Sequence, residues 1–327
     1  MMWLDSPPTT GASMAVTSAD VARRAGLSRA TVSQVLNGYT DRFAAETTER
    51  VLRAAKELDY EPSAVGRMLR TGSSDFVIAL IPNTTFGGNL QDIFDTVTAL
   101  LADHGLSLVL HLSTQSPGAL DRILSGIRPR AVLSLQPFTP DERRILAERK
   151  VPAFDPTIDG DTNYDIGRLQ AEYLIGRGYQ RLAFAHLHDQ RSDPYGSGRE
   201  RAVTDACAAA GLPVPESLGV AIDQPSADAA LATLQPGTGV ICYNDDVAIA
   251  LMTAAARRGW RVPDDVGLIG MDDTPLAQVM NPRLTTVGYS LAAAAHQTTE
   301  TALLAIGQEV TASPTDIGLR IVHGDSC

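Results

Sequence analysis

The first 60 residues show the hydrophobic period of short helices. Val21, Ala22 and Ala25 share one helical face, Ser18 can cap the start of that helix, and Gly26 can end it. The pattern therefore predicts a first helix of about two turns, followed by a tight turn.

Two more helices follow from the same pattern. Ser28 is the predicted N-cap of the second helix. The third helix is predicted over residues 47–58, because its apolar side chains recur at helical spacing. These apolar residues are Val51, Leu52, Ala55 and Leu58. The three helices predict a small all-α unit that begins with a helix-turn-helix.

The second helix has two distinct sides when it is drawn at about 100° per residue. The apolar side consists of Thr31, Val32, Val35 and Leu36. The polar side consists of Arg29, Ala30, Ser33, Gln34 and Asn37. A guanidinium, amides, a hydroxyl and a methyl are groups that read base edges in the DNA major groove. The same pattern also fits the solvated face of an ordinary amphipathic helix.

Short apolar runs alternate with helical stretches after residue 74, which is typical of a parallel α/β sheet. The predicted strands are residues 76–81, 106–112, 131–135, 182–185, 240–243 and 266–269. Polar residues follow several of these runs, namely Asn83, Asn244, Asp245, Asp246, Asp272 and Asp273. Parallel sheets bind ligands outside the carboxyl ends of their strands, so these residues predict a ligand cleft.

Length and composition limit the class of protein. A chain of 327 residues with 44% hydrophobic content can bury two cores, so two or three domains are expected. The three cysteines, Cys207, Cys242 and Cys327, lack the spacing of a disulfide framework or a zinc knuckle. No apolar run approaches the roughly 18 residues of a membrane span, and no secretory signal is recognisable. We expect a cytoplasmic protein without membrane contact.

The net charge of −11 argues at first against a nucleic-acid partner. The first 72 residues, however, carry nine basic and eight acidic side chains, whereas the remainder carries 18 basic and 30 acidic ones. Residues 16–38 hold three arginines and one aspartate. A modest positive face is therefore available to DNA, and salt should weaken its binding strongly.

Longer motifs resemble one family. The segments VTSADVARRAGLSRATVSQVLNG and TTERVLRAAKELDYEPSAVGRMLRTGSS resemble the headpiece and hinge of the LacI/GalR family of bacterial transcription regulators. The segments IPNTTFGGN, EYLIGRGYQRLAF and VICYNDDVAIALMTAAARRGWRVPDDVGLIGMDDTPLAQVMNPRLTTV resemble blocks of the family's core. The resemblance runs from about residue 16 to the C-terminus.

The resemblance implies a multidomain architecture, in which a small all-α helix-turn-helix headpiece precedes an α/β core of two lobes like that of periplasmic sugar-binding proteins. The implied segments are the headpiece (15–61, with its motif at about 18–37), a hinge helix and linker (62–74) and the core (75–327). Residues 1–14, before the resemblance begins, are expected to be a disordered tail, because they hold two prolines and no periodic apolar pattern. Within the core, the first lobe is expected at about 75–160 and 288–327, and the second at 161–287.

The resemblance also implies a function. The implied function is that of a homodimeric repressor that binds double-stranded operator DNA. A small, sugar-like effector is expected to control it, and no cofactor is expected. Operator contacts fall on Ser28, Arg29, Ala30, Thr31, Ser33, Gln34 and Asn37, and in the hinge on Leu69 and Arg70. Effector contacts fall on Asn83, Phe86, Arg199, Asn244 and Asp272. The alternatives are a flexible linker for the hinge and loop or capping roles for the effector positions.

Two residues depart from the family pattern. Ala44 stands where the family usually carries a serine that caps the third helix, so the headpiece is expected to be only marginally stable. Gly66 stands in the hinge where alanine is usual, which predicts a hinge helix that folds reluctantly.

Other functions find less support in the sequence. His186 and His188 follow a predicted strand, but no further histidine or cysteine lies near them in sequence, so loop positions at the cleft mouth are favoured over a metal site. No hydrolase, metalloprotease, phosphate-loop or dinucleotide motif is present, which argues against an enzyme. A solute-binding protein without a DNA role is the remaining alternative, and the helix-turn-helix argues against it.

Overall fold

The computed structural model describes residues 16–36, 39–60, 72–83, 87–112, 116–155, 162–191, 193–310 and 316–327. The predicted tail and most of the predicted hinge lie outside the described residues. The chain divides into two compact units, Met1–Ser74 and Asp75–Cys327. Among the described residues, no helix combines the length and the hydrophobicity that crossing a bilayer requires.

The first unit is a bundle of three helices. They are α1 (Ser18–Ala25), α2 (Arg29–Leu36) and α3 (Ala45–Glu57), with a 3₁₀ turn at Thr40–Arg42 before α3. Their apolar faces meet in one core, formed by Val21, Ala22, Ala25, Val32, Val35, Val51, Ala54 and Ala55. The predicted all-α unit is confirmed.

Two details of this bundle differ from the sequence prediction. The N-cap of α1 is Thr17 and not Ser18, because the Asp20 carboxylate accepts hydrogen bonds from the Thr17 N–H (3.0 Å) and hydroxyl (2.7 Å). Leu52 was expected in the core but is 51% exposed, and Ala54 is buried in its place.

The turn between α1 and α2 depends on Gly26. This residue ends α1 in the left-handed conformation (φ +64°), which costs glycine little. Arg50 of α3 donates a hydrogen bond to the Ala25 carbonyl (2.7 Å), so α3 satisfies the C-terminal end of α1 and fixes the turn.

Ala44 is the N-cap of α3 and, with its methyl side chain, makes no capping hydrogen bond there. Its extended backbone (φ −62°, ψ 145°) suits serine, so Ala44→Ser should stabilise the first unit by about 1 kcal/mol. Hydrogen exchange of the α3 amides in the full chain measures this gain. Ala45→Ser, one position inside the helix, is the matched control, and an equal gain there would contradict the capping explanation.

The first lobe of the second unit is a parallel four-stranded sheet in the order β2-β1-β3-β4. Its strands are β1 (Phe76–Ile81), β2 (Ser107–Leu112), β3 (Ala131–Ser134) and β4 (Ala153–Phe154). Its helices are α4 (Gly88–Asp103), α5 (Pro117–Ile127) and α6 (Pro140–Glu148). Helices cover both faces of β1, which explains why this strand is an unbroken apolar run.

The second lobe is a six-stranded sheet in the order β10-β9-β8-β7-β5-β6. Its strands are β5 (Arg181–Leu187), β6 (Glu216–Val220), β7 (Thr238–Cys242), β8 (Val266–Met271), β9 (Thr285–Gly288) and β10 (Arg320–Val322). The remaining helices are α7 (Thr162–Gly176), α8 (Gly196–Ala209), α9 (Gln224–Thr233), α10 (Asp245–Arg258), α11 (Pro275–Val279) and α12 (Leu291–Ala305). The predicted two-lobe α/β architecture is confirmed.

The C-terminal segment corrects one predicted boundary. Residues 288–327 were expected in the first lobe, and α12 does pack on the core of that lobe. However, β10 pairs antiparallel with β9, and the Ser326 hydroxyl donates to the Leu268 carbonyl (2.6 Å) and accepts from the Thr285 N–H (2.8 Å). The end of the chain therefore extends the sheet of the second lobe.

Candidate DNA-reading helix and ligand cleft

Helix α2 presents its polar side to solvent. Val32 and Val35 are 0% and 2% exposed, so the apolar side packs into the three-helix core. Five of the predicted operator-contact residues are exposed, namely Ser28, Arg29, Ala30, Ser33 and Gln34. The amphipathic division predicted for this helix is therefore confirmed, and it leaves a continuous polar surface.

Short hydrogen bonds order the start of α2. The Ser28 hydroxyl accepts from the Thr31 N–H (3.0 Å) and lies 2.9 Å from the Thr31 hydroxyl, as an N-cap does. Thr31 is half-buried, at the edge between the two sides of the helix. Arg29 donates from Nε to the Ser18 hydroxyl (3.1 Å), so the start of α1 orients its guanidinium.

The cleft of the second unit lies at the carboxyl ends of strands from both lobes and encloses about 240 Å³. Arg199, which is 6% exposed, forms its floor. Its Nε donates to Asn163 Oδ1 (3.2 Å), and its Nη1 donates to the Tyr243 carbonyl. Gly167 permits this arrangement, because a Cβ there would lie 2.3 Å from the Arg199 carbonyl oxygen where α7 crosses α8.

Two tyrosines support the arginine. The guanidinium carbon of Arg199 lies 5.2 Å from the ring centre of Tyr243 and 5.8 Å from that of Tyr195. The two rings are nearly parallel (8°), with centres 6.5 Å apart. The Tyr195 hydroxyl donates to the Leu135 carbonyl (2.7 Å), so this residue connects the second lobe to the first.

Asp272 follows β8 with an unusual backbone. Its φ is +114° and that of Asp273 is +53°, so two consecutive non-glycine residues are strained where the strand ends. The Asp272 N–H donates to the Val287 carbonyl (2.9 Å), and the Asn89 amide of the first lobe donates to the Asp272 carbonyl. Burial raises the pKa of the Asp272 carboxyl to about 7, against the opposing effect of the Arg199 charge.

Of the three polar residues after β7, two line the cleft. Asn244 caps α10 by accepting from the Val247 N–H (3.1 Å) and, like Asp246, contributes to the lining. Asp245 was expected in the cleft but is fully buried, accepting from the Thr274 N–H (2.8 Å) and the Thr286 hydroxyl (2.6 Å). Burial raises the pKa of Asp245 to about 6, and its role is to join α10 to β9 and α11.

Asn83 is placed differently from the other predicted effector residues. Its side chain is exposed and lies outside the cleft lining, because its amide donates to the Gln190 carbonyl (2.9 Å) in the other lobe. The predicted contact residues Asn37, Leu69, Arg70 and Phe86 lie outside the described residues.

His186 belongs to β5 and not to a loop. Its Nδ1 lies 2.7 Å from Asp193 Oδ2, and its Nε2 lies 3.1 Å from Glu200 Oε2. Burial disfavours its charged form, but the two carboxylates outweigh burial and raise the pKa of His186. Among the described residues, no group of histidine, cysteine and acidic side chains has the arrangement of a metal site.

Comparisons with known proteins agree with the helix-turn-helix of the first unit and with the two-lobe fold of the second. Residues 17–63 match the family model of bacterial regulatory proteins of the lacI family, and residues 171–327 match that of the periplasmic binding protein-like domain. The HTH-type transcriptional regulator GntR of Pseudomonas aeruginosa is 31% identical over 94% of both chains. The chain belongs to the LacI family.

Solved structures share the fold of this LacI-family chain. The lac repressor dimer bound to operator and an anti-inducer superimposes with a TM-score of 0.77 at 22% identity, covering 95% of this chain and 98% of that one. The complex of the regulator CelR with cellobiose gives a TM-score of 0.65 at 23% identity, covering 95% of this chain and 100% of that one. As a LacI-family member, the protein is a DNA-binding transcriptional regulator.

The structure brings together three of the five predicted effector residues, Arg199, Asn244 and Asp272. It adds cleft residues that the sequence did not single out, namely Asn89, Asn163, Tyr195, Tyr243 and Tyr289. Most of these follow a strand or begin a helix, and that position is the signal that would have identified them.

Proposed function

We propose that this LacI-family regulator is a homodimeric repressor that acts in the cytoplasm and has no catalytic activity. Its headpiece (15–61) reads a pseudo-palindromic operator, its hinge (62–74) meets the DNA between half-sites, and its core (75–327) binds a sugar-like effector. The exposed polar side of α2 is the observation that carries the proposal, since its apolar side is buried and its polar groups suit base edges.

The contacts follow from this placement. Arg29, Ala30 and Gln34 read bases, while the phosphates are contacted by Ser28, Thr31, Ser33 and Asn37. Leu69 enters the minor groove from the hinge, and Arg70, which follows it, also contacts the DNA. The operator complex of the lac repressor dimer supports both the DNA target and the dimer, because a two-fold operator requires two headpieces.

Effector control acts through the lobes of the core. Tyr195 with Leu135, Asn89 with Asp272, and Asn83 with Gln190 form hydrogen bonds between the lobes. A ligand that contacts Arg199, Asn244 and Asp272 changes the balance of these bonds and so the lobe arrangement. The cellobiose complex of CelR supports a sugar-like effector for this cleft.

A selection of bound sequences from random oligonucleotides tests the proposal. Arg29→Ala should relax the preference at one base position in each half-site, at a cost of about 1 to 3 kcal/mol on the operator and little on random DNA. Arg23→Ala is the matched control, because Arg23 is an exposed arginine of α1 whose loss removes the same charge and only an exposed ion pair with Asp20 (3.2 Å), away from the polar side of α2. Equal losses for Arg29→Ala on operator and random DNA would refute base reading by α2.

A further inference from the structure

The Ser18 hydroxyl contacts the DNA-reading helix and does not cap its own. Thr17 is the N-cap of α1, and its hydrogen bonds with Asp20 close the first turn without Ser18. Ser18 is half-buried in that turn, and its hydroxyl accepts from Arg29 Nε (3.1 Å). The serine that the sequence suggested as a cap therefore bonds to the first residue of α2.

No acid offsets the charge of Arg29, in contrast to two exposed arginines of α1. Arg23 pairs with Asp20 (3.2 Å), and Arg24 pairs with Glu57. Within the described part of the chain, no carboxylate pairs with Arg29, and its hydrogen-bond partner is a neutral hydroxyl. A neutral partner can hold the guanidinium in place and leave its charge available to attract DNA.

The stability of α2 does not explain an arginine at this position. Arg29 is the first residue of the helix, where the helix dipole disfavours a positive charge. The first turn of α2 carries no acid that would compensate for it. The side chain instead reaches across the turn to α1, so its placement serves a purpose outside its own helix.

The bond to Ser18 leaves one edge of the guanidinium available. Nε carries a single N–H, which the Ser18 hydroxyl accepts, and the remaining N–H donors belong to Nη1 and Nη2. Two donors of this edge can contact O6 and N7 of one guanine. Arginine is a long, flexible side chain, so holding it at Nε before DNA binds lowers the entropy that it loses in the complex.

We propose that Ser18 is a positioning residue for base reading, because its hydroxyl holds the Arg29 guanidinium with the Nη1 and Nη2 edge free to read a guanine in each half-site. Ser18 acts through Arg29 and needs no contact of its own with DNA. This inference rests on the proposed reading of bases by α2, and it adds a residue of α1 that sets the strength of the guanine preference.

Ser18→Ala tests the inference on the full-length protein. Alanine suits a helix and the cap formed by Thr17 and Asp20 remains, so the variant should fold. The probes are the duplex selected from random oligonucleotides, its versions with the other three bases at the position that Arg29→Ala relaxes, and a scrambled duplex of the same length. The preference for guanine should fall by about three- to tenfold, the contribution of one hydrogen bond, while affinity for the scrambled duplex stays the same. An unchanged preference would overturn the inference.

Two substitutions of equal shape separate the hydroxyl from the volume of the side chain. Ser18→Thr keeps the hydroxyl and should retain the guanine preference. Ser18→Val has the same branched shape without a hydroxyl and should lose the preference as Ser18→Ala does. Equal preferences in the threonine and valine variants would overturn the inference, since the hydroxyl would then have no effect.

A double-mutant cycle shows whether Ser18 acts through Arg29. In the Arg29→Ala background, Ser18→Ala should change the affinity for each probe by less than about twofold, because the group that Ser18 positions is gone. An undiminished loss in that background would mean that Ser18 contacts the DNA itself, and it would overturn the positioning role.

The proposed function can fail separately. If Arg29→Ala leaves every base preference unchanged, base reading by Arg29 is refuted and the inference falls with it. If Arg29→Ala relaxes one position while Ser18→Ala and Ser18→Val retain it, base reading stands and the inference alone is refuted.

Discussion

Arg199→Ala should abolish the effector response while DNA binding persists. The side chain is 6% exposed and holds the Asn163 amide and the Tyr243 carbonyl, so its removal takes away a ligand contact and disorders the cleft wall. Truncating a buried, hydrogen-bonded charge costs about 2 to 5 kcal/mol, which corresponds to a loss of effector affinity of roughly 30-fold or more. Titrations of operator DNA with and without effector measure both properties in one sample.

Arg201→Ala is the control for this prediction. Arg201 lies two residues further along α8, is exposed, and stacks on the Tyr164 ring (5.3 Å) outside the cleft lining. This variant should respond to effector as the unmodified protein does. If Arg199→Ala folds and retains effector affinity within threefold of the original, Arg199 is not part of the binding site.

Strands that are long apolar runs were predictable from the sequence, and short or more polar ones were not. All six predicted apolar runs coincide with strands, and five of them are largely buried, as expected of strands covered on both faces, whereas β2 is an apolar run that is partly exposed. In contrast, β4 has two residues, β6 is partly exposed with only Leu218 and Val220 buried, and β10 is an edge strand of three residues. Such segments are too short for a hydrophobic period to show, and pairing with neighbouring strands determines them.

The cleft was predictable as a place and only partly as a set of side chains. The rule that ligands bind at the carboxyl ends of parallel strands located Asn244 and Asp272. It could not separate Asp245 from Asp246, since neighbours in the first turn of a helix point about 100° apart. The orientation of α10 on the sheet decides that Asp245 is buried against Thr274 and Thr286, while Asp246 faces the cleft.

The contacts between lobes lay beyond sequence reasoning for a different reason. Tyr195 bonds to Leu135, which is 60 residues away, and Asn89 bonds to Asp272, which is 183 residues away. Neither pair has a recognisable spacing in the sequence, because its members come together only when the two lobes fold and lie next to each other. Asn83 illustrates the same point, since its strand-end position suggested a ligand contact and its amide contacts Gln190 instead.

Asp272→Asn should stabilise the protein and weaken effector binding at the same time. In the folded state the pKa of Asp272 is raised from 3.8 to about 7, so folding disfavours its ionised form. Below about pH 4 the carboxyl is protonated in both the folded and unfolded states and carries no penalty. The penalty grows as the pH rises and is complete above the folded-state pKa. Asparagine avoids it and also tolerates positive φ better than most residues.

The expected gain of Asp272→Asn is about 2 kcal/mol at pH 8, after allowance for the partial exposure of this side chain, or roughly 5 °C in melting temperature. The gain should shrink steadily towards pH 4. Asp273→Asn provides the contrast, because Asp273 accepts from Gln278 (2.8 Å) and lies near Arg320 (3.5 Å), so its replacement removes favourable contacts. A gain for Asp272→Asn that is equal at pH 4 and pH 8 would mean that relief of backbone strain, and not relief of a buried charge, stabilises the variant. Weaker effector binding together with higher stability would show that this strained carboxylate is maintained for recognition at the expense of the fold.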